Sequence, residues 1–172
     1  MRRPIVLISA VLAAVLLSAG VALAANIRCD GGTCKGTNRI DTMTGSKRAD
    51  KMYGFGGNDK MNGGYNGDLL VGGTGSDTMN GSFGNDTLYG NSYADTISGG
   101  PANDRVYAGP GTDTVYGNAN DDRIVIAGDG RNDAVNCGTG NDVLVLDAEE
   151  LGGTNLIEFA EQTSCEDLRV RP

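Results

Sequence analysis

The chain has 172 residues and a formal net charge of −8, with 28 glycines, 5% aromatic residues and no histidine. This length suits one domain, but so much glycine and so few rings argue against a large conventional core. The acidic balance argues against nucleic acid as a partner, because phosphates attract basic surfaces. The lack of histidine excludes an H-E-x-x-H zinc protease and any Ser-His-Asp or Cys-His catalytic arrangement.

The N-terminal segment has the features of a signal peptide in their usual order. Arg2 and Arg3 precede an apolar run from Ile5 to Leu17, and Ala22-Leu23-Ala24 supplies small residues for cleavage. We therefore expect a secreted or cell-surface protein with no stable membrane insertion after cleavage. The alternative is an uncleaved anchor, since the apolar stretch approaches the roughly 20 residues that cross a bilayer.

Four cysteines in an exported chain predict two disulfides. Cys29 and Cys34 are close neighbours, whereas Cys137 and Cys165 lie near the other end of the chain. Three pairings can be drawn, and proximity favours Cys29 with Cys34 and Cys137 with Cys165. A zinc site is the alternative, but C-x4-C without histidine matches zinc-ligand spacing poorly.

The body of the chain is organised by aspartates that recur every nine residues, with one two-residue insertion. The series is Asp41, Asp50, Asp59, Asp68, Asp77, Asp86, Asp95, Asp104, Asp113, Asp122, Asp133 and Asp142. Two residues after each aspartate stands an aliphatic or methionine residue, namely Met43, Met52, Met61, Leu70, Met79, Leu88, Ile97, Val106, Val115, Ile124, Val135 and Leu144. Five residues before the aspartate the residue is glycine except at Ala108 and Cys137. Such a period indicates stacked structural repeats.

Each nine-residue unit divides into a turn and a short strand. Glycine and asparagine in the first six residues predict a turn with positive φ, which glycine adopts freely and asparagine tolerates. The next three residues place one apolar side chain inward, so units must stack until these side chains form one ladder. Turn carbonyls and a carboxylate before each strand offer oxygen ligands only. This donor set favours Ca²⁺, which accepts roughly six to eight oxygens, over Mg²⁺ or a transition metal.

Four consecutive units carry the pattern most completely: GFGGNDKMN at 54–62, GGYNGDLLV at 63–71, GGTGSDTMN at 72–80 and GSFGNDTLY at 81–89. They resemble the G-G-x-G-x-D-x-U-x nonapeptide of the repeat-in-toxin (RTX), or hemolysin-type, calcium-binding family. The resemblance covers about Gly36 to Leu146. It implies an all-β fold, a right-handed parallel β-roll (a β-solenoid) in which two nonapeptides complete one coil and each calcium ion lies between turns one coil apart. Alternate aspartates would then line opposite edges of the roll.

Residues that depart from the family pattern predict which sites bind calcium weakly. Two residues before the aspartate, where the family prefers glycine, stand Arg39, Arg48, Tyr93, Ala102 and Arg131. These residues adopt left-handed geometry reluctantly. We therefore expect weak or absent ions around Asp41, Asp50, Asp95 and Asp133. The resemblance assigns calcium ligands to Asp59, Asp68, Asp77, Asp86, Asp104, Asp113, Asp122, Gly54, Gly57, Gly63, Gly72, Gly75, Gly81 and Gly84.

The chain therefore divides into a signal peptide (1–25), an N-terminal cap with a short disulfide loop (26–35), a calcium-binding β-roll (36–146) and a C-terminal cap (147–172). Stacked repeats need closed ends, because an open sheet edge invites pairing with other chains. The apolar residues predicted to cover the last coil are Leu156, Ile157, Phe159, Leu168 and Val170.

The function expected from these features is that of an exported protein that folds as it binds several Ca²⁺ ions. We expect no enzyme, because no G-x-S-x-G elbow occurs and no stretch outside the repeats is long enough for a catalytic domain. The alternatives are a structural or adhesive surface protein and a module that uses the roll as a scaffold to bind a surface glycan or a protein. The candidate sugar-binding rings are Tyr53, Tyr65, Tyr89, Tyr93, Tyr107 and Tyr116.

Overall fold

The computed structural model describes residues 24–127, 129, 131–147 and 164–171, and all its regular elements are strands. Within these ranges no helix is long and apolar enough to cross a membrane. Residues 1–23, which hold nearly all of the predicted signal peptide, lie outside the described part. The strands are β1 Ala25–Arg28, β2 Gly32–Lys35, β3 Asp41–Thr44, β4 Asp50–Gly56, β5 Lys60–Tyr65, β6 Leu69–Thr74, β7 Thr78–Phe83, β8 Thr87–Ser92, β9 Thr96–Pro101, β10 Arg105–Tyr107, β11 Thr114–Ala119, β12 Arg123–Ile126, β13 Ala134–Thr139, β14 Val143–Asp147 and β15 Asp167–Arg171.

The strands alternate between two parallel sheets. One sheet, called sheet A, has the order β1-β3-β5-β7-β9-β11-β13, and the other, sheet B, has the order β2-β4-β6-β8-β10-β12-β14-β15. Two successive strands with their two turns therefore make one coil, and about seven coils stack along the axis. The predicted all-β parallel solenoid is confirmed.

The register between coils follows the period of the sequence. Lys60 pairs with Thr78, which is a step of two nonapeptides. After the two-residue insertion the step grows, so that Thr114 pairs with Ala134 and Arg123 with Val143. The insertion therefore falls between β12 and β13, and the ladder residues on both sides of it stay buried.

The core is a double ladder of the predicted apolar residues. In β7, burial alternates along the strand, so Met79 is enclosed while its neighbours Thr78 and Asn80 face outward. Across register partners the ladder is continuous, as in the pairing of Met61 with Met79. All twelve apolar ladder residues are 7% exposed or less. Because each coil contributes only two such side chains, a single coil cannot bury enough surface to fold alone.

Both ends of the roll are built from the segments predicted to be caps. β1 and β2 form the first strands of the two sheets, and the disulfide between Cys29 and Cys34 joins them. The disulfide between Cys137 and Cys165 ties β13 to the residues before β15. Both predicted pairings are therefore confirmed in this structure.

The last strand extends the inner ladder of sheet B by one layer. Leu168 pairs with Leu144 and Val170 with Leu146, yet the two outer residues remain 38% and 44% exposed. They are the end layer of the core. The other predicted cap residues, Leu156, Ile157 and Phe159, lie outside the described part of the chain.

Candidate metal centre

The twelve repeat aspartates form two columns, one at the start of each sheet's strands. Each of these side chains is 8% exposed or less. Along each column, Oδ1 of one aspartate accepts a hydrogen bond from the backbone N–H of the aspartate one coil before it. The N–H of Asp59 donates to Oδ1 of Asp77 at 2.7 Å, and that of Asp68 donates to Oδ1 of Asp86 at 2.7 Å. These bonds set the spacing between coils on both sides of the roll.

The second carboxylate oxygen has a different environment. Among the described residues, nine repeat aspartates have a buried Oδ2 atom without a hydrogen-bond partner. A buried carboxylate oxygen without a partner is costly, because it has lost its water and gained nothing in exchange. These aspartates are Asp59, Asp68, Asp77, Asp86, Asp95, Asp104, Asp113, Asp122 and Asp142.

Burial raises the pKa of these carboxyl groups, because it disfavours their charged form. The pKa of Asp104 is raised to about 8, mainly by burial and to a smaller extent by the charges of Asp86 and Asp122 in the same column. The hydrogen bond that Oδ1 accepts from the backbone acts in the opposite direction and is the weaker effect. Burial likewise raises the pKa of Asp86, Asp95 and Asp122 to about 7, and of Asp59, Asp68, Asp77 and Asp113 to about 6.

The glycine that stands five residues before ten of the twelve aspartates leaves room for a close approach. A Cβ atom at Gly72 would overlap Oδ2 of Asp77 and stand 2.9 Å from the carbonyl oxygen of Gly90 in the next coil. Gly63 stands in the same relation to Asp68, whose Oδ2 would be 2.5 Å from the added atom. Neither glycine has a positive φ. The expectation that these glycines serve left-handed geometry is therefore wrong for this position, where the missing side chain makes room for the carboxylate.

Positive φ is found instead four and two residues before the aspartate. Gly73 and Gly75 show it before Asp77. At the other repeats the four-before position is filled by residues as different as Phe55 and Ser82, with φ of 74° and 76°. Left-handed geometry is thus imposed by the stacking of the coils, since aromatic and hydroxyl side chains accept it here against their preference.

The non-glycine residues two before the aspartate divide into two groups. Tyr93 and Ala102 adopt φ of 81° and 95° and so preserve the turn. Arg39 and Arg48 do not have a positive φ. The sequence predicted a weaker site at Asp95 than at Asp104, but the turns before both aspartates have the same left-handed backbone. The turns of the first two repeats, before Asp41 and Asp50, are different.

That different turn changes the bonding of Asp41 and Asp50. Oδ2 of Asp41 accepts hydrogen bonds from the backbone N–H of Thr37 at 2.6 Å and from its hydroxyl at 3.0 Å. Oδ2 of Asp50 is bonded in the same way by Ser46, at 2.8 and 3.0 Å. Both carboxylates are satisfied within the protein. The expectation of weak or absent ions there stays a prediction, and Thr37 and Ser46 are hydrogen-bond partners that the repeat pattern did not indicate.

The ends of the columns are closed by other groups. At the N-terminal end, the backbone N–H of Ala25 donates to Oδ1 of Asp41 and that of Gly31 to Oδ1 of Asp50, at 3.1 and 2.7 Å. At the C-terminal end, Oε2 of Glu166 accepts the N–H of Asp142 at 2.9 Å. Glu166 takes the place of one further aspartate although it lies outside the nine-residue pattern. In the sequence, only the position of Glu166 directly after Cys165 indicates that it lies near the end of the roll.

Backbone carbonyl oxygens of the turns are further candidate ligands. A Cβ at Gly73 would overlap the carbonyl oxygen of Phe55, and one at Gly75 would overlap that of Gly57, one coil earlier. The carbonyl oxygens of Phe55 and Gly57 therefore lie directly against Gly73 and Gly75 of the next coil. In the described ranges no three His, Cys, Asp or Glu side chains converge as a metal-binding group. The donors are instead single unsatisfied carboxylate oxygens and the nearby turn carbonyls, a set that fits Ca²⁺.

The fold and these turns define a parallel β-solenoid with a regular series of acidic turns. The family model described as RTX calcium-binding nonapeptide repeat (4 copies) matches residues 35–64, 62–92 and 89–124. These matches extend over more than half of the chain, and the chain belongs to this family. Comparison with the curated proteins and with the solved structures finds no match.

Proposed function

We propose that this chain is an exported protein whose β-roll closes as its turns bind several Ca²⁺ ions. The observation that carries the proposal is the series of buried Oδ2 atoms without hydrogen-bond partners in the described repeats. Membership of a calcium-binding repeat family supports the choice of ion. The ligands proposed from the sequence, such as Asp77 with Gly72 and Gly75, remain a prediction.

Repulsion between aspartates is what makes folding depend on a cation. The charges of Asp77 and Asp41 both raise the pKa of Asp59, in addition to the effect of burial. In the unfolded chain the same carboxylates are surrounded by water and lie far apart. A bound Ca²⁺ supplies two positive charges and accepts roughly six to eight oxygen ligands. Near neutral pH the coils therefore stack when the carboxylates are compensated, and the chain opens when they are not.

No single site is strong enough to fold a glycine-rich chain. Extracellular calcium modules bind with Kd of about 10⁻⁴ to 10⁻³ M. At ten- to hundredfold excess of calcium, each site then stabilises the fold by only about 1.4 to 2.7 kcal/mol. Because each Oδ1 is bonded to the preceding coil, ordering one turn positions the next. We therefore expect cooperative folding over a narrow range of calcium concentration.

Export gives this dependence a physiological meaning. The proposed signal peptide directs the chain out of a compartment with low calcium, and the roll then closes outside, where calcium is higher. Both disulfides of the structure agree with an oxidising compartment. The proposal assigns no catalytic reaction to the chain.

The test is a calcium titration of the mature chain followed by far-ultraviolet circular dichroism. In excess chelator at pH 7.5 we expect the spectrum of an unfolded chain, and in millimolar calcium a β-rich spectrum with a sigmoidal transition. Calorimetry on the same sample gives the number of ions. A spectrum that is already β-rich in chelator, and does not change with calcium, would refute coupled folding.

A magnesium control separates calcium from other divalent cations. Mg²⁺ at the same concentration is expected to leave most of the chain unfolded, because it requires strict octahedral geometry and retains its water.

The export part of the proposal is tested separately, by N-terminal sequencing of protein recovered from the medium. A start near Ala25 or Asn26 would support cleavage, whereas recovery of the uncleaved chain in the membrane fraction would contradict it.

A further inference from the structure

Two aromatic residues form a stacked pair on one edge of the roll. Tyr65 and Phe83 are register partners at the ends of β5 and β7. Their ring centroids are 5.2 Å apart with an angle of 13° between the planes, and the residues are 51% and 54% exposed. One coil earlier the same position is Lys47, so the ring column begins at Tyr65. Phe83 thus covers one face of the tyrosine ring, and the other face is directed towards the preceding coil.

A surface cavity lies on that open side of Tyr65. It has a volume of about 620 Å³ and is lined by Tyr65, the turn from Gly45 to Arg48, Asn62 and Asp30, with Gly64 at its floor. This volume is within the roughly 300 to 1,000 Å³ of small-molecule sites. Among the described residues, no repeat aspartate lines the cavity, which adjoins the aspartate columns at Ser46, whose hydroxyl donates a hydrogen bond to Oδ2 of Asp50.

The polar wall of the cavity is held in place by several contacts. Nη1 of Arg48 approaches Oδ1 of Asp30 at 3.5 Å and donates a hydrogen bond to the carbonyl oxygen of Asp30 at 3.3 Å. Asp30 belongs to the loop that the Cys29 to Cys34 disulfide closes. The carbonyl oxygen of Lys47 accepts a hydrogen bond from the side-chain amide of Asn66 at 2.6 Å. Asn66 thus fixes the backbone of the wall at Lys47, whereas the Arg48 and Asp30 side chains stay exposed and accessible to a ligand.

The chemistry of this cavity suits a sugar ring. An exposed aromatic face packs against the C–H groups of a pyranose, and planar Arg, Asp and Asn side chains match pairs of neighbouring hydroxyl groups. The lining of the cavity carries two positive charges, on Lys47 and Arg48, and one negative charge, on Asp30. Its net charge is therefore positive. A carboxylate on the sugar is therefore favoured, since a guanidinium pairs with it through two parallel hydrogen bonds. We propose that the cavity beside Tyr65 binds a uronate-containing pyranoside, as found in acidic polysaccharides.

The proposal is tested on the mature, oxidised chain in 10 mM calcium (an excess of roughly tenfold or more over the Kd of such modules), with folding checked by circular dichroism. The probes are hyaluronan hexasaccharide, which is acidic, and cellohexaose, which is neutral. Binding is followed by the amide shifts of the ¹⁵N-labelled protein and by calorimetry. We expect saturable shifts at Ser46, Arg48 and Tyr65 with the acidic hexamer, and binding at least tenfold weaker for the neutral one.

Matched variants locate the site. Tyr65→Ala and Arg48→Gln are each expected to weaken binding of the acidic hexamer at least tenfold. Tyr116→Ala removes another exposed tyrosine, 42% exposed on the outer side of β11, and is expected to change nothing. Equal binding of the two hexamers, shifts confined to other parts of the roll, equal loss in all three variants, or no binding in the folded protein would overturn the proposal. Because folding is monitored independently, failure here is distinguishable from failure of the calcium proposal.

Discussion

The backbone N–H of Asp77 donates a hydrogen bond of 2.8 Å to Oδ1 of Asp95, which lies 18 residues later and one coil along the roll. The same carboxylate keeps Oδ2 buried without a hydrogen-bond partner. One oxygen atom thus fixes the spacing of the coils, and under the proposed function the other binds a cation. Because a single side chain would then serve both purposes, we expect ion binding and coil stacking to be coupled in this part of the chain.

The first prediction compares two aspartates whose Oδ2 atoms differ in hydrogen bonding, Asp77 without a partner and Asp41 with two. Asp77→Asn keeps an acceptor for the coil contact but removes the charge, and we expect the calcium midpoint of folding to rise several-fold. Loss of one ion contributes about 1.4 to 2.7 kcal/mol under saturating conditions. Asp41→Asn is the matched control, because Oδ2 of Asp41 is already bonded by Thr37. Its midpoint is expected to change less than twofold, and equal shifts in the two variants would contradict the assignment.

The second prediction concerns pH in the absence of calcium. Burial raises the pKa of Asp86 and Asp95 to about 7 and that of Asp104 to about 8, from an ordinary value of 3.8. The folded chain therefore binds protons more tightly than the unfolded chain. This contribution to stability is fully present below about pH 3.8 and is lost as the pH rises through 6 to 8.

In chelator, the roll is accordingly expected to resist urea better at pH 5 than at pH 8. In saturating calcium this dependence is expected to flatten, because the ions replace the protons. Binding at pH 7 is then accompanied by proton release, which calorimetry in buffers of different ionisation enthalpy measures. Greater stability at pH 8 than at pH 5 in chelator would show that the buried carboxylates do not govern folding.

The period of the sequence predicted stacked repeats and the resemblance to the family implied the parallel β-roll, but the roles inside each turn were not readable from either. The spacing placed Met79 inward and Asp77 directly before its strand, because one apolar residue recurs at the same position of every unit. It did not reveal that Gly72 makes room for a carboxylate, since a close approach between coils leaves no mark on local preference. Nor did it show that Tyr93 adopts the left-handed geometry and Arg48 does not. That outcome depends on contacts with adjacent coils.

The third prediction separates close approach from turn geometry. Gly72→Ala is expected to destabilise the calcium-loaded roll by about 1 to 3 kcal/mol, because the added methyl group overlaps Oδ2 of Asp77. Gly56→Ala is the control, since its nearest contact would be the rotatable hydroxyl of Thr74 at 3.0 Å, and neither glycine has a positive φ. Urea unfolding in fixed calcium measures both. Similar losses in the two variants would mean that glycine at position 72 serves chain geometry rather than the carboxylate.

The last prediction concerns the C-terminal end of the aspartate column. Oε2 of Glu166 accepts the N–H of Asp142, and the adjacent Cys165 is bonded to Cys137. Glu166→Ala leaves that partly buried donor without its acceptor, so we expect a loss of about 1 to 3 kcal/mol. Removing the disulfide as Cys137→Ser with Cys165→Ser is expected to cost about 3 to 4 kcal/mol in the chain-entropy view.

The two changes are expected to be non-additive, because the disulfide, together with the pairing of β15 with β14, holds Glu166 over Asp142. In the chain without the disulfide, Glu166→Ala should therefore cost much less than in the oxidised chain. Urea unfolding of the four proteins of this double-mutant cycle in saturating calcium gives the coupling free energy. Glu166→Gln, which keeps an acceptor oxygen, is expected to retain most of the stability. Full additivity would show that Glu166 closes the column without help from the covalent bond beside it.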